Sequence, residues 1–248
     1  MSNSTVKSSS ADLAGKQLIV TGGTGALGSA VSQTLLASGA TVTVSYIVDE
    51  EFAELQKQCA EAVSAGRLHG AKANLTEESA VGDFVKATAA DRGGLDGVVN
   101  IAGGFVFAPL LETSVDQLDH MWNLNFRTLF LVSRAAYPHL KQRGGGTIVS
   151  IGARPGTQGT AGLSAYAASK AAVINFTQTL ADEGRADGVR AFSVLPSIID
   201  TPANRAAMPD ANFETWVTPA SLARVIRFVL EDESQDMSGA ILPVYGQA

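Results

Sequence analysis

A tyrosine and a lysine one helical turn apart are the residues of this sequence best suited to proton transfer. Tyr166 and Lys170 lie in the run YAASK, and their i,i+4 spacing puts both side chains on one face of a helix. A free tyrosine has a pKa of about 10, and proton release near neutrality needs that pKa to fall by about 3, the direction a nearby ammonium favours. The pair predicts a general acid/base, although an isolated pair would indicate only a surface contact.

A glycine cluster follows the first apolar run, in QLIVTGGTGALGS. Its spacing matches G-x-G-x-x-G, in which bare backbone lets a pyrophosphate approach and the following helix supplies amides and a partial positive charge. The position between a strand and a helix predicts a dinucleotide site. Its candidate residues are Gly22, Gly23, Thr24, Gly25, Ala26, Leu27 and Gly28.

The end of the second strand, VSYIVDEE, favours NAD over NADP. A dinucleotide fold usually has an acid there for the adenosine ribose, or a basic residue for a 2′-phosphate, and by register Tyr46 takes that position. No basic residue lies nearby, and Asp49, Glu50 and Glu51 would repel a phosphate. The acids could equally form the solvated first turn of a helix, so both cofactors stay open.

Two further strand ends carry residues that suit a nucleotide. An asparagine in KANLT could bind the adenine edge, and the small residues of NIAG would let a cofactor lie close to the backbone. Each could be ordinary turn chemistry, but open sheets bind ligands at these ends of their strands. The candidates are Asn74, Leu75, Asn100, Ala102 and Gly103.

The elements that position these residues alternate along the chain. Strands are predicted in QLIVT, TVTVSY, RLHGAKA, LDGVVN, GTIVSI, VRAFSVL and AILPVY, with helices at about 26–38, 50–64, 77–91, 115–141, 163–184 and 219–231. Such alternation predicts a single α/β domain with a doubly wound parallel sheet of seven strands and helices on both faces. The strands are apolar on both sides, as buried parallel strands should be.

The domain is expected to span residues 13–248, after a polar and mobile tail at 1–12. An insert at about 197–218, rich in Pro, Asn and small residues, is predicted to be a lid over a site, the alternative being a surface excursion.

Composition narrows the classes of partner. The net charge of −6 and the scattering of the 18 Lys and Arg residues argue against nucleic acid. No run approaches the roughly 18 apolar residues of a membrane span, and MSNSTVKSSSAD lacks the apolar centre of a signal peptide. The single cysteine, Cys59, suits a reducing cytoplasm and has no His and Asp constellation nearby. We expect a cytoplasmic protein that binds neither membrane nor metal.

Taken together, the motifs resemble the short-chain dehydrogenase/reductase family from about Gly15 to the C-terminus. The match rests on TGGTGALG, NIAG, the asparagine of WNLNFRTLF, YAASK, PSIIDT and GAILPVYG. The resemblance implies a Rossmann sheet in the order 3-2-1-4-5-6-7, NAD or NADP as cofactor and a small-molecule substrate. It also implies homodimers or homotetramers packed through the helices at 115–141 and 163–184.

The resemblance assigns roles to the matching residues. Tyr166 would be the acid/base, and Lys170 would bind the nicotinamide ribose and lower the tyrosine pKa. Asn125 would hold, through its backbone at a helix irregularity, a water that joins Lys170 to solvent. The resemblance also implies cofactor contacts for Asn100, Gly103, Pro196, Ile199 and Thr201.

Three positions depart from the family pattern. Ala26 stands where the glycine motif usually has its second glycine, and Ser197 replaces the glycine after Pro196. Ala153 aligns with the catalytic serine, whose loss as an oxyanion donor costs on the order of 10²–10³ in rate. Ser150 lies three residues earlier in a strand and therefore points elsewhere.

The dihydropteridine reductase branch of the family also has alanine at the serine position, and the insert DTPANRAAMPDANFETW is similar to its counterpart there. Its substrate, a quinonoid dihydropteridine, is an activated conjugated imine that needs less oxyanion stabilisation. Asn125 fits the classical pattern better than that branch. We therefore expect reduction of a conjugated imine or carbonyl, the alternatives being a ketone or 3-oxoacyl thioester reductase and a nucleotide-sensing protein without chemistry. Expected substrate contacts are Ala153, Phe105, Met208 and Trp216.

Overall fold

Seven parallel strands form the central sheet of the computed structural model, which describes residues 12–91 and 93–247. The strands are β1 (Gln17–Thr21), β2 (Thr41–Tyr46), β3 (Leu68–Lys72), β4 (Gly97–Asn100), β5 (Gly146–Ile151), β6 (Val189–Pro196) and β7 (Ile241–Val244). They pair in the order β3-β2-β1-β4-β5-β6-β7, and every pairing is parallel. The expected doubly wound sheet is confirmed. The tail expected at 1–12 lies outside the described residues, apart from its last residue.

The connections between the strands carry the helices. They are α1 (Ala26–Ala37), α2 (Asp49–Gln58), α3 (Ala60–Ser64), α4 (Glu78–Asp91), α5 (Val115–Met121), α6 (Thr128–Arg143), α7 (Ser164–Gly184), α8 (Pro202–Ala207) and α9 (Pro219–Leu230). Two of the expected helices are interrupted. The run at 50–64 breaks at Cys59, whose φ of −113° and ψ of 32° are not helical, and the run at 115–141 contains a π-helical segment, Trp122–Arg127.

No helix in the described part of the chain is both long enough and apolar enough to cross a membrane.

Alternate side chains of the central strands β1, β4, β5 and β6 pack into two different cores. Val20, Val149 and Phe192 belong to the core that includes buried residues of α1 and α9. Their neighbours Ile19 and Ile148 belong to the core that includes buried residues of α4, α6 and α7. Each fully buried aliphatic or aromatic side chain stabilises the fold by about 1.5–3 kcal/mol, so the sheet is held from both faces.

The two ends of the insert at 197–218 pair with each other. Ile199 and Val217 form a parallel bridge, and the Val217 carbonyl accepts from the Asp200 amide at 2.8 Å. Inside the closed loop, Arg205 on α8 binds the Asp200 carboxylate with two donors, at 2.6 and 2.8 Å. The insert is therefore a closed loop held by its own hydrogen bonds. Its function as a lid stays a prediction.

The turn after β1 depends on close backbone approach. Gly22 has φ of 61°, in the left-handed region that favours glycine. A Cβ on Gly28, in the first turn of α1, would collide with the Gly22 carbonyl. The first turn of α1 can lie against the loop only because position 28 has no side chain.

Substituting Gly28 with alanine should therefore destabilise the fold. The added methyl meets backbone rather than a flexible side chain, and we expect the free energy of unfolding in urea to fall by about 1–3 kcal/mol. Gly82→Ala is the matched control, because Gly82 lies inside α4 with open space around it and alanine should raise stability by up to about 1 kcal/mol. Equal effects of the two substitutions would contradict the packing argument.

Candidate active site

A cavity of about 350 Å³ opens at the carboxyl ends of β1, β2, β3 and β4, where open parallel sheets bind ligands. Most of the expected cofactor residues line it: Gly22, Thr24, Gly25, Ala26, Leu27, Gly28, Tyr46, Asn74, Leu75, Ala102 and Gly103. Further lining residues had not been assigned to the site from the sequence, among them Ile47, Thr76, Leu124 and Thr128.

Two hydroxyl side chains hold the loops around this cavity. The Ser45 hydroxyl accepts a hydrogen bond from the Gly22 amide at 3.1 Å. The Thr21 hydroxyl accepts from the amides of Ile101 and Ala102, at 3.0 and 3.1 Å, and so ties the turn after β4 to the end of β1. Sequence reasoning missed both roles, because the bonded partners are far apart along the chain.

The glycine loop fits the pyrophosphate of a dinucleotide. Gly25 caps α1 without a side-chain hydrogen bond, so the cap residue itself leaves the first amides of the helix open. These amides and the helix dipole suit an anion, and the missing side chain at Gly28 keeps the helix end close to the loop. The residues present are those that a dinucleotide needs.

Two expected cofactor residues lie close to the cavity but face neighbouring elements, β2 and α6. Gly23 packs against β2, where a Cβ would collide with Val44. Asn100 is buried and donates from Nδ2 to the Ser133 hydroxyl on α6 at 3.2 Å. Neither residue lines the cavity, and their contact with a cofactor stays a prediction.

Three other expected cofactor residues lie at the end of β6 or just after it. Pro196 ends β6, and Ile199 forms the bridge at the base of the insert. The Thr201 hydroxyl caps α8 by accepting from the Asn204 amide at 3.2 Å, and it keeps its own proton to donate. Their contact with a nicotinamide carboxamide stays a prediction.

The acid/base pair lies on the first two turns of α7. The helix begins at Ser164, so Tyr166 and Lys170 share a face there. The Lys170 ammonium is buried, lies 5.9 Å from the centroid of the Tyr166 ring and donates to the Ile151 carbonyl at 2.8 Å. The end of β5 thus fixes the position of the ammonium.

Burial shifts both groups away from their ordinary values. It lowers the pKa of Lys170 to about 8 and raises the pKa of Tyr166 to about 12. The shift at Tyr166 runs opposite to the lowering that a cofactor-bound site is expected to need, and its cause is the loss of hydration on burial. Near neutrality the tyrosine is therefore a protonated hydroxyl and the lysine a cation.

Asn125 connects the pair to the turn after β4. It lies in the π-helical segment, where its side chain accepts from the Gly104 amide at 2.9 Å and donates to the Gly104 carbonyl and the Ser169 hydroxyl, each at 3.1 Å. A Cβ on Gly103 would lie 2.6 Å from Asn125 Oδ1 and 3.6 Å from Lys170 Nζ. The expectation concerned the Asn125 backbone, whereas the structure gives its side chain a separate positioning role.

The position of the missing serine is enclosed. Ala153 is only 3% exposed and has no hydroxyl to donate. Ser150 is fully buried, in register with Asn100 and Ser193 on the neighbouring strands, so it does not take over that function. A substrate in this site therefore lacks a serine donor from this segment.

The large side chains expected at the substrate divide into exposed ones and a buried one. Phe105 is 60% exposed and packs edge-on against Tyr166, with ring centroids 5.0 Å apart. Met208 in the insert is also partly exposed. Trp216, however, is 6% exposed and packs against Phe213 at 4.8 Å, which favours a role in holding the insert together.

Metal binding and thiol chemistry receive no support within residues 12–91 and 93–247. No group of three or more His, Cys, Asp and Glu side chains is placed there to hold a metal ion. Cys59 is buried, and burial raises the pKa of its thiol, which disfavours a reactive thiolate.

Comparison with known proteins places the chain in a family. A family model described as short chain dehydrogenase matches residues 16–212. A 3-oxoacyl-[acyl-carrier-protein] reductase of Thermotoga maritima is 30% identical over 94% of this chain and 98% of its own length. A 4-formylbenzenesulfonate dehydrogenase of Comamonas testosteroni is 32% identical over 92% of this chain and 95% of its own length.

Solved structures agree with the sequence matches. A short-chain type dehydrogenase/reductase from Mycobacterium ulcerans superimposes with a TM-score of 0.90 at 25% identity, covering 95% of this chain and 90% of that one. The family match spans both the glycine loop and the Tyr166–Lys170 pair. The chain therefore belongs to the short-chain dehydrogenase/reductase family of NAD(P)-dependent oxidoreductases.

Proposed function

We propose that this enzyme uses NAD(P)H to reduce an activated conjugated imine or carbonyl, with a quinonoid dihydropteridine as the named candidate. The observation that carries the proposal is the combination of a complete Tyr166, Lys170 and Asn125 cluster with a buried alanine at position 153. The proton-transfer residues are kept, and only the donor for a developing oxyanion is missing.

The reduced cofactor, when bound, supplies a hydride, and the protein must supply a proton. Tyr166 is the donor in this proposal: its hydroxyl is protonated at neutral pH, and the Lys170 ammonium must offset the burial that raises its pKa. Donation leaves a phenolate, and the Lys170 ammonium beside the ring stabilises that charge while its pKa near 8 keeps it cationic at pH 7. Solvent then returns one proton to the tyrosine, so each turnover takes up one hydride and one proton.

The missing serine selects the substrate in this proposal. A simple ketone concentrates negative charge on one oxygen, and loss of one preorganised donor costs on the order of 10²–10³ in rate. A conjugated imine spreads the charge over a ring system and accepts its proton at nitrogen. Such a substrate loses less from the alanine, and the exposed Phe105 beside Tyr166 offers a face for a flat ring.

Two alternatives remain. A ketone or 3-oxoacyl thioester reductase is supported by the name of the Thermotoga maritima relative. A nucleotide-sensing protein would explain the alanine, but it would have no need for a buried lysine held against the Ile151 carbonyl, since burying a charge is costly. We therefore favour the enzyme.

We further propose NAD as the preferred cofactor, because the residues that follow β2 are acidic.

We also propose that the protein is cytoplasmic, because a single cysteine suits a reducing compartment.

A homodimer or homotetramer through α5, α6 and α7 is the assembly we propose. Apolar side chains lie exposed along α5, the π-helical segment and α6: Val115, Leu118, Trp122 and Phe130. The rings of Trp122, Phe126, Phe130 and Phe176 form a continuous aromatic cluster that reaches α7. A surface of this kind is typical of an interface.

Replacing Tyr166 with phenylalanine should remove the proton donor and leave the fold intact. We expect turnover of quinonoid dihydropteridine, followed by cofactor absorbance, to fall by about 10²–10⁴-fold. The dissociation constant for NADH, measured by calorimetry, should change by less than about twofold, because a phenyl ring keeps the packing. Undiminished turnover would show that the proton comes from another group.

Introducing serine at Ala153 should help substrates that develop an oxyanion. We expect kcat/KM for a diketone and a 3-oxoacyl thioester to rise by about tenfold or more, and that for quinonoid dihydropteridine to change little. A panel of these substrates with NADH and with NADPH gives the ranking. The opposite ranking would contradict the role given to the alanine, and tight cofactor binding without turnover of any substrate would favour the nucleotide-sensing alternative.

Placing a charge in the exposed aromatic cluster should break the assembly. Trp122→Glu is expected to lower the mass found by light scattering, because a buried carboxylate without a partner is costly at an interface. Val48→Glu is the matched control, since Val48 is similarly exposed but lies before α2. A monomeric natural protein, or an unchanged mass in Trp122→Glu, would overturn this assembly.

A further inference from the structure

We propose that residues 245–247, which follow β7, hold the insert at 197–218 in the orientation that binds substrate, and that Ser197 is a positioning residue through which they do so. This inference rests on the proposed function, because it takes the insert as part of the substrate site. It gives a role to a residue that departs from the family pattern, since the glycine usual at position 197 has no side chain that could donate a hydrogen bond.

Three connections of the fold meet at one edge of the sheet. β5, β6 and β7 are neighbouring parallel strands, so their carboxyl ends lie side by side. Ala153 and Arg154 follow the first of these strands, the insert follows the second, and residues 245–247 follow the third. Residues 245–247 are therefore placed to connect the insert to the segment that lacks the serine donor.

Ser197 binds these residues at the start of the insert. Its hydroxyl is partly buried and donates to the Tyr245 carbonyl at 2.6 Å. The Ser197 amide also donates to the Val244 carbonyl, but at 3.4 Å. The short side-chain bond is the stronger of the two links, and glycine or alanine at position 197 would lose it.

The end of the insert is held by the same residues. The Gln247 amide donates to the Thr215 carbonyl at 2.9 Å. Gly246 has φ of 64°, and a Cβ there would lie 2.8 Å from the Thr215 carbonyl oxygen and 3.3 Å from the Trp216 carbonyl carbon. Residues 245–247 can approach the insert this closely only because position 246 is glycine.

The two ends of the insert are joined to each other, so one attachment orients both. The Val217 amide donates to the Ile198 carbonyl at 3.0 Å, beside the bridge at the base of the insert. Arg205 of α8 lies over the Phe213 ring, with its guanidinium carbon 4.8 Å from the ring centroid. Holding the ends through residues 245–247 therefore fixes the orientation of α8 as well.

The Tyr245 ring extends this contact toward the substrate site. The guanidinium carbon of Arg154 lies over the ring, 5.2 Å from its centroid, a distance at which the face of the ring attracts a cation. Arg154 directly follows Ala153 in the sequence. Residues 245–247 thus contact both the insert and the segment of Ala153, and loss of these contacts should displace one of them relative to the other.

Limited digestion with trypsin reports the position of the insert without relying on turnover. Arg205 lies inside the insert, and Lys57 on α2 is an exposed site elsewhere in the chain. The quantity measured by mass spectrometry is the ratio of cleavage after Arg205 to cleavage after Lys57. Loosening of the insert alone raises this ratio, whereas loosening of the whole fold raises cleavage at both sites.

Two variants loosen the contact, and each has a matched control. Ser197→Ala removes the hydroxyl bond, whereas Ser38→Ala removes a similar partly buried bond at the end of α1, to the Thr34 carbonyl at 3.0 Å. Gly246→Ala adds backbone strain and a collision, whereas Gly66→Ala adds the same strain at an equal φ of 64° with open space around it. Only the first member of each pair alters the insert.

We expect Ser197→Ala and Gly246→Ala to raise the cleavage ratio by about threefold to tenfold, the effect of one lost hydrogen bond or close contact on a local opening. With quinonoid dihydropteridine and NADH, both should raise KM for the substrate by a similar factor and change kcat by less than about twofold, because binding is weakened while the proton-transfer pair is unchanged. Ser197→Thr keeps a hydroxyl and should stay close to the natural protein, as should the two controls.

An unchanged cleavage ratio in Ser197→Ala and Gly246→Ala would overturn the inference, as would an equal rise in their controls. A raised ratio with an unchanged KM would also overturn it, because residues 245–247 would then hold an insert that does not position substrate. Failure of the natural protein to turn over quinonoid dihydropteridine would instead overturn the proposed function, and the cleavage ratio would still decide whether residues 245–247 hold the insert.

Discussion

The buried ammonium of Lys170 is the constraint on which the active site depends. A charge removed from water must be compensated, and the Ile151 carbonyl at the end of β5 provides the bond. This bond fixes the first turns of α7 against the sheet and places Tyr166 beside the ammonium. Asn125, in turn, requires that Gly103 have no side chain, because a Cβ there would lie 2.6 Å from its Oδ1. The buried cation thus links β5 to α7, and Asn125 links the π-helical segment to the turn after β4.

Much of this arrangement is predictable from sequence, because the signals are local. Strands that are apolar on both sides and separated by amphipathic runs predict a parallel sheet, since parallel strands need crossovers and bury both faces. The glycines at 22–28 and the small residues at 102–103 mark places where backbone must approach closely, and such positions have few solutions. The strand order followed from the family resemblance, and the structure confirms it.

What the sequence did not predict arises from contacts between distant segments. The roles of Thr21 and Ser45 depend on partners in other loops, and the pairing of Lys72 with Asp49 depends on the register of β2 and β3. The raised pKa of Tyr166 was not foreseen for a related reason. Neighbouring charge can be counted along a helix, whereas burial depends on everything packed around it.

The raised pKa of Tyr166 sets what proton transfer must overcome in this site. Burial raises that pKa to about 12, so the tyrosine holds its proton until positive charge nearby offsets the lost hydration. The Lys170 ammonium, 5.9 Å from the centroid of the ring, is the charge placed to do so. Ala153, which follows β5, supplies no hydroxyl to stabilise a developing negative charge. Proton transfer in this site therefore depends on Tyr166 and Lys170, which is why the proposed function asks for a substrate that needs little oxyanion stabilisation.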